Sequence, residues 1–196
     1  MAEPIDFYFD FSSPYGYLAS TEIDGLAARH GRSVTWRPFV LGAAFKLTGQ
    51  RALTEQPLRG DYARRDFARS ARLLGVPFKL PEPFPFFALA ASRACYWVEA
   101  PSRAKALAKA VYHAAFGEGR DITPVPVVAE IARGLGIQGL EQGVEQPASK
   151  AALRDATDQA LARGVFGSPF FFVDGEPFWG HDRLDQLDRW LATGGW

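Results

Sequence analysis

The chain has 196 residues, 47% of them hydrophobic, with 22 Lys plus Arg against 22 Asp plus Glu. That length suits one core, or one domain carrying an inserted subdomain, and the balanced charge offers no basic field to nucleic acid or an anionic membrane. A single cysteine, Cys95, excludes any intrachain disulfide or dithiol redox cycle, and no apolar run nears the ~20 residues of a transmembrane helix.

The opening Met1-Ala2-Glu3-Pro4-Ile5-Asp6 has neither the charged nor the apolar region of a secretory signal, so the expected location is the cytoplasm. Phe7, Tyr8, Phe9 and Phe11 then form an aromatic run that favours a strand. Ser12-Ser13-Pro14 follows directly. Proline suits the first helical position, which makes Ser13 the N-cap of a helix carrying Tyr17, Leu18, Ile23 and Leu26 on one face. A hydroxyl thus sits where free N–H groups and the positive end of a helix dipole converge, a place suited to an anion and to a thiolate in particular. Many serines in this position only cap the helix, so this segment alone does not decide between the two roles. A second strand is expected at Val34–Val40.

Between residues 61 and 163 the chain reads as helical. The first helix carries Tyr62, Phe67, Leu73 and Leu74 and stops at Gly75 and Pro77. A second spans Phe86 to Val98, and a third is capped by Ser102 and runs towards Phe116. A fourth starts at Thr123-Pro124, and an alanine-rich fifth spans Ala148 to Ala162. Cys95, flanked by Ala94 and Tyr96-Trp97, has the surroundings of a buried structural thiol. The last part, Gly164 to Gly180, reads as a loop, an apolar strand opened by Pro169, an Asp174-Gly175 turn and a return strand. Ser168-Pro169 is a candidate cis bond. Leu184, Leu187, Trp190 and Leu191 then mark a final helix.

Other readings find little support. Gly134-Leu135-Gly136-Ile137-Gln138-Gly139 matches a dinucleotide pattern but follows a helix and opens no strand–turn–helix unit. His30, His113 and His181 share no ligand spacing, so no metal site is expected. A serine hydrolase built on Ser13 would need a histidine base within reach, which spacing leaves open.

A βαβ unit and a ββα unit, with a proline opening the third strand, give the thioredoxin-like α/β fold: residues 1–60 and 164–196 form that domain and 61–163 an all-helical insertion. The segments FDFSSPYGYLA (9–19), WRPFVLGAAFKLTGQ (36–50) and RGVFGSPFFFVDGEPFWGHDRLD (163–185) resemble the 2-hydroxychromene-2-carboxylate isomerase and kappa-class glutathione transferase family over essentially the whole chain. In that family a serine stands where a redox Cys-x-x-C motif has its first cysteine. The tetrad here is Ser13-Pro14-Tyr15-Gly16.

The resemblance implies glutathione as cofactor, its sulfur beside Ser13, where a hydroxyl donor and a helix N-terminus would lower a thiol pKa that is ordinarily about 8.5. It implies that Ser168, ahead of Pro169, offers main-chain groups to the cysteinyl part. Asp182 would meet the γ-glutamyl ammonium or cap the last helix, or both, with His181 donating through its backbone. Lys46, Gln50 and Arg59 would face carboxylates from the loop after the second strand, Gln50 standing where asparagine is usual, and Tyr15 and Lys46 would meet an aromatic substrate. The implied reaction interconverts 2-hydroxychromene-2-carboxylate and trans-o-hydroxybenzylidenepyruvate in aromatic catabolism, in a cytoplasmic homodimer. A kappa-like transferase or peroxidase acting on hydrophobic electrophiles, and a non-catalytic thioredoxin-like binding protein, are the alternatives.

Overall fold

The structure, a computed structural model, describes residues 3–196. Met1 and Ala2, which belong to the stretch read as lacking a secretory signal and to the expected first domain, lie outside the described residues. Among the described residues four strands form one mixed sheet: β1 (Ile5–Phe9), β2 (Val34–Pro38), β3 (Phe170–Val173) and β4 (Glu176–Trp179), in the order β2-β1-β3-β4. β1 runs parallel to β2 and antiparallel to β3, which pairs antiparallel with β4. The crossover between β1 and β2 is α1 (Pro14–Arg29). Asp174 and Gly175 both have positive φ, 52° and 90°, the geometry of a two-residue hairpin turn and the reason Asp-Gly suits it.

Both faces of the sheet are covered, as the two-residue period of β1 dictates. Ile5, Phe7 and Phe9 point into the larger core, where Phe7 stacks on Phe171 at 5.2 Å and Phe9 and Phe11 pack against Tyr112. Tyr8 points the other way, into a smaller cluster with Phe39, Phe170 and Phe172.

Every regular element between β2 and β3 is helical. After α2 (Leu41–Thr48) come α3 (Arg59–Leu74), α4 (Leu89–Trp97), α5 (Pro101–Tyr112), α6 (Val125–Gly134), the short α7 (Leu140–Gly143) and α8 (Pro147–Ala162); α9 (Leu184–Thr193) follows β4. Several local expectations are corrected. β2 stops at Pro38 rather than Val40. The segment carrying Lys46 is helix rather than loop, because the run Leu41–Thr48 holds good helix formers and ends on a left-handed Gly49. Ser102 caps nothing: Pro101 takes the first helical position and the cap falls on Ala100. α4 starts at Leu89, after a proline-rich stretch with cis bonds before Pro83 and Pro85. Beyond α5 the helix continues as a wider π turn over His113–Gly117, which the spacing does not announce.

Cys95 is partly buried against the core, and burial pushes its thiol up to about 12, which keeps it protonated at neutral pH.

Candidate active site

β1 hands over to α1 through Asp10-Phe11-Ser12-Ser13. The pairing of β1 with β3 matches Tyr8 with Phe170, and continuing that register for two residues sets Asp10 opposite Ser168. Sheet pairing therefore brings the start of α1 against the turn before Pro169, whose bond to Ser168 is cis as the sequence predicts.

Ser13 caps α1 as expected, its Oγ accepting from the Gly16 N–H at 3.0 Å. The same Oγ donates to the carbonyl oxygen of Ser168 at 2.7 Å, across 155 residues of chain. Both serines are buried, 6% and 9% exposed. Hence the two points that the family motifs single out do meet, and Ser13's own proton bridges them.

α1 begins with proline, which has no N–H. Gly16 donates to Ser13 Oγ and Tyr17 to the Ser13 carbonyl, so Tyr15 carries the first-turn N–H without a hydrogen bond among those described. No acidic residue lies in that turn. A hydroxyl, one open N–H and the positive end of a 16-residue helix thus converge at one spot, an arrangement that favours the charged form of a bound thiol.

A ring of buried hydrogen bonds holds this junction. The Asp10 N–H donates to Ser168 Oγ at 3.0 Å, and the Asp10 carbonyl accepts from Tyr112 Oη at 2.9 Å and from the Ser13 N–H at 2.9 Å. The Asp10 carboxylate accepts from the Ser12 N–H and hydroxyl and from the Leu41 N–H at the start of α2. Burial raises its pKa, and those hydrogen bonds oppose the rise. Tyr112, fully buried, has its phenol pushed well above 10 by burial and then by the Asp10 charge, so it remains a donor. Neither residue is among those expected from sequence. Asp10 carries a local signal, an acid two residues before Ser12 in an Asx turn; Tyr112 reaches the site from α5 with no local signal at all. Tyr112→Phe is expected to cost about 1–2 kcal/mol by leaving a buried carbonyl short of one donor, read as a lowered midpoint in urea.

Around this junction the structure assembles an aromatic and acidic rim. Tyr15 lies face to face on His181, ring centres 5.0 Å apart and planes 9° apart, and edge-on to Phe67 at 4.8 Å. Its hydroxyl donates to Asp66 at 2.6 Å, and Asp66 also pairs with Arg69. Burial and then Asp66 raise the Tyr15 phenol above 10, so it stays protonated. His181 opens a short 3-10 turn over 181–183, and α9 begins after it with Arg183 at the cap position. Asp182 is therefore not the helix cap. Its carboxylate is exposed and pairs with Arg183 at 3.2 Å. Lys46 on α2, Gln50 in the loop after it and Arg59 at the start of α3 are all exposed, and among the described bonds none joins them to Ser13 or Ser168. Arg59 instead donates to Gln56 at 3.3 Å. A groove of about 550 Å³ between Trp179, Arg183, Trp190 and Trp196 lies along β4 and α9 and includes neither serine.

Burial lowers the His181 pKa, and the charges of Asp182 and Asp66 only partly oppose it. A depressed folded value means the folded protein resists protonation. The stability that His181 contributes is complete above its ordinary pKa of about 6.5 and is lost as pH falls through the lowered one. Unfolding free energy is expected to fall on acidification below pH ~6.5, and His181→Gln to flatten that part of the curve, measured by urea titration across pH.

The DSBA-like thioredoxin domain family matches residues 4–192. The chain is 35% identical to a 2-hydroxychromene-2-carboxylate isomerase of Sphingobium xenophagum, over 97% of this chain and 99% of that one. It is 28% identical to glutathione S-transferase kappa 2 of Caenorhabditis elegans, over 96% and 91%. Among solved structures, a 2-hydroxychromene-2-carboxylate isomerase superposes with a TM-score of 0.88 at 29% identity, covering 97% of this chain and 94% of that one.

Proposed function

The chain belongs to the DsbA-like thioredoxin family, beside 2-hydroxychromene-2-carboxylate isomerases and kappa-class glutathione transferases, and on that premise we propose that it is a glutathione-dependent isomerase interconverting 2-hydroxychromene-2-carboxylate and trans-o-hydroxybenzylidenepyruvate. The observation that carries the reading is the meeting of the Ser13 hydroxyl, the open Tyr15 N–H and the Ser168 carbonyl at one helix N-terminus. Glutathione, when bound, would supply a nucleophilic thiol that is regenerated at the end of the cycle, so total thiol would be conserved.

The protein's own groups do the rest. Ser13 donates to the sulfur and, with the Tyr15 N–H, holds it ionised near neutral pH. Each pKa unit of thiol depression corresponds to about 1.4 kcal/mol of preference for the charged form. Ser168, ahead of Pro169, pairs its main chain with the cysteinyl residue as an added strand would. Asp182, with the His181 backbone, takes the γ-glutamyl ammonium, exchanging its Arg183 partner for the ligand. Lys46, Gln50 and Arg59 supply charge and donors for the carboxylates. Tyr15, fixed between His181 and Phe67, forms an aromatic wall for the substrate ring. The same proposal places a homodimer in the cytoplasm. No helix of the described residues is long and apolar enough to cross a membrane.

The test is calorimetry with glutathione, followed by an assay across chromene carboxylates and general electrophiles with free thiol counted throughout. Isomerisation with constant thiol is expected. Thiol consumption would instead assign the transferase activity of the kappa relatives, and an absence of glutathione binding at millimolar concentration would eliminate both.

A further inference from the structure

The hydrogen bond from Ser13 Oγ to the Ser168 carbonyl creates a conflict within that reading. A hydroxyl has one proton to donate, and here it is spent on the very carbonyl that an added peptide strand would engage. We infer that this bond is a latch: Ser13 becomes available to sulfur only when a ligand's peptide N–H takes over the Ser168 carbonyl. The inference rests on the proposed glutathione site and names the thiol class it serves, peptide thiols carrying an N–H next to the cysteinyl carbon, as against small thiols without one.

The geometry supports a switch of one proton rather than a movement of backbone. Ser13 Oγ accepts from the Gly16 N–H, so rotating its O–H from carbonyl to sulfur leaves the helix cap intact. The carbonyl cannot retreat. Ser168 is bound through its Oγ to the Asp10 N–H, Asp10 is held by Tyr112, and all three residues are buried. Asp10 and Tyr112 are in this sense positioning residues for the latch.

The proton balance is simple. The incoming thiol gives its proton to water, Ser13 keeps its own, and the ligand N–H replaces that proton on the Ser168 carbonyl. The thiolate is the better acceptor because the bond to it is charge-assisted. A small thiol brings no N–H, so using Ser13 for its sulfur would leave the buried carbonyl without its donor, a cost that offsets the gain.

Two measurements decide. The first uses γ-glutamyl-α-aminobutyryl-glycine, which has a methyl group where glutathione has its thiol. This ligand breaks the latch but offers Ser13 no new acceptor. Ser13→Ala removes the conflict, so by calorimetry the variant is expected to bind this ligand about fivefold more tightly than the wild type. Equal or weaker binding overturns the latch, since a carbonyl with two lone pairs would then be accepting from both partners. The second measurement titrates the bound thiolate of wild-type protein by ultraviolet absorbance. Glutathione is expected to show a lowered thiol pKa, and an analogue with an ester oxygen in place of the cysteinyl N–H is expected to show little lowering or no binding. Equal lowering for both overturns the latch and leaves the proposed function standing. Failure of wild-type protein to bind glutathione itself removes the proposed function, and the latch with it.

Discussion

Ser13→Ala is expected to slow glutathione-dependent turnover at pH 7 by about 10- to 30-fold, because a thiol returned to its ordinary pKa of about 8.5 is only about 3% ionised there. The fold should survive. The variant loses the side-chain cap of α1 and the bond to the Ser168 carbonyl, together worth about 1–2 kcal/mol, which lowers the urea midpoint without abolishing the transition. The loss should appear as a higher thiol pKa of bound glutathione, so the rate deficit is expected to shrink as pH rises and the thiol ionises unaided. A rate loss that does not change with pH would separate Ser13 from thiolate stabilisation. Turnover unchanged at neutral pH would remove it from the mechanism.

The second large effect concerns Gly16, the last residue of the Ser13-Pro14-Tyr15-Gly16 tetrad. A Cβ at this position would come to 2.5 Å from Tyr112 Oη and 3.0 Å from Ser168 Oγ. Neither neighbour can give way easily. Tyr112 is wedged among Phe9, Phe11, Tyr17 and Phe116, and Ser168 is tied to Asp10 and Ser13. Glycine-to-alanine in a helix would ordinarily add about 1 kcal/mol of stability, while forcing a carbon into a packed site costs about 1–3 kcal/mol. Here the steric cost wins, because the ring of hydrogen bonds beneath the site must also open. Gly16→Ala is expected to destabilise the protein by about 1–2 kcal/mol and to weaken glutathione binding more than tenfold. The control lies in the same helix. Gly25 has nothing within 4 Å of the added carbon, so Gly25→Ala should stabilise by about 0.5–1 kcal/mol and leave binding untouched. Chemical unfolding and calorimetry on the pair check both signs, and Gly16→Ala proving stabilising would show that the packing around Tyr112 yields.

Much of this was legible in the residues themselves. The aromatic run Phe7, Tyr8, Phe9 and Phe11 set a strand, Ser13-Pro14 set the start of α1, and Asp174-Gly175 set the hairpin turn. All three are short-range preferences of backbone dihedrals, caps and side-chain type, which act within a few residues. They are readable because they do not depend on what packs against them. Where a local rule met competing local chemistry, the reading slipped. Pro101 displaced Ser102 as the start of α5, and a 3-10 turn moved Asp182 off the cap of α9.

What the residues alone left open was who faces whom. A one-residue slip of β3 against β1 would turn Phe171 away from Phe7 and take Ser168 away from Asp10 without altering any local preference. The hydrogen bond between Ser13 and Ser168, the reach of Tyr112 from the helical part into the sheet, and the stack of Tyr15 on His181 all depend on that register. They join residues far apart in the chain. Only closure of the whole core, which trades chain entropy for buried aromatic surface, selects the one register that brings them together.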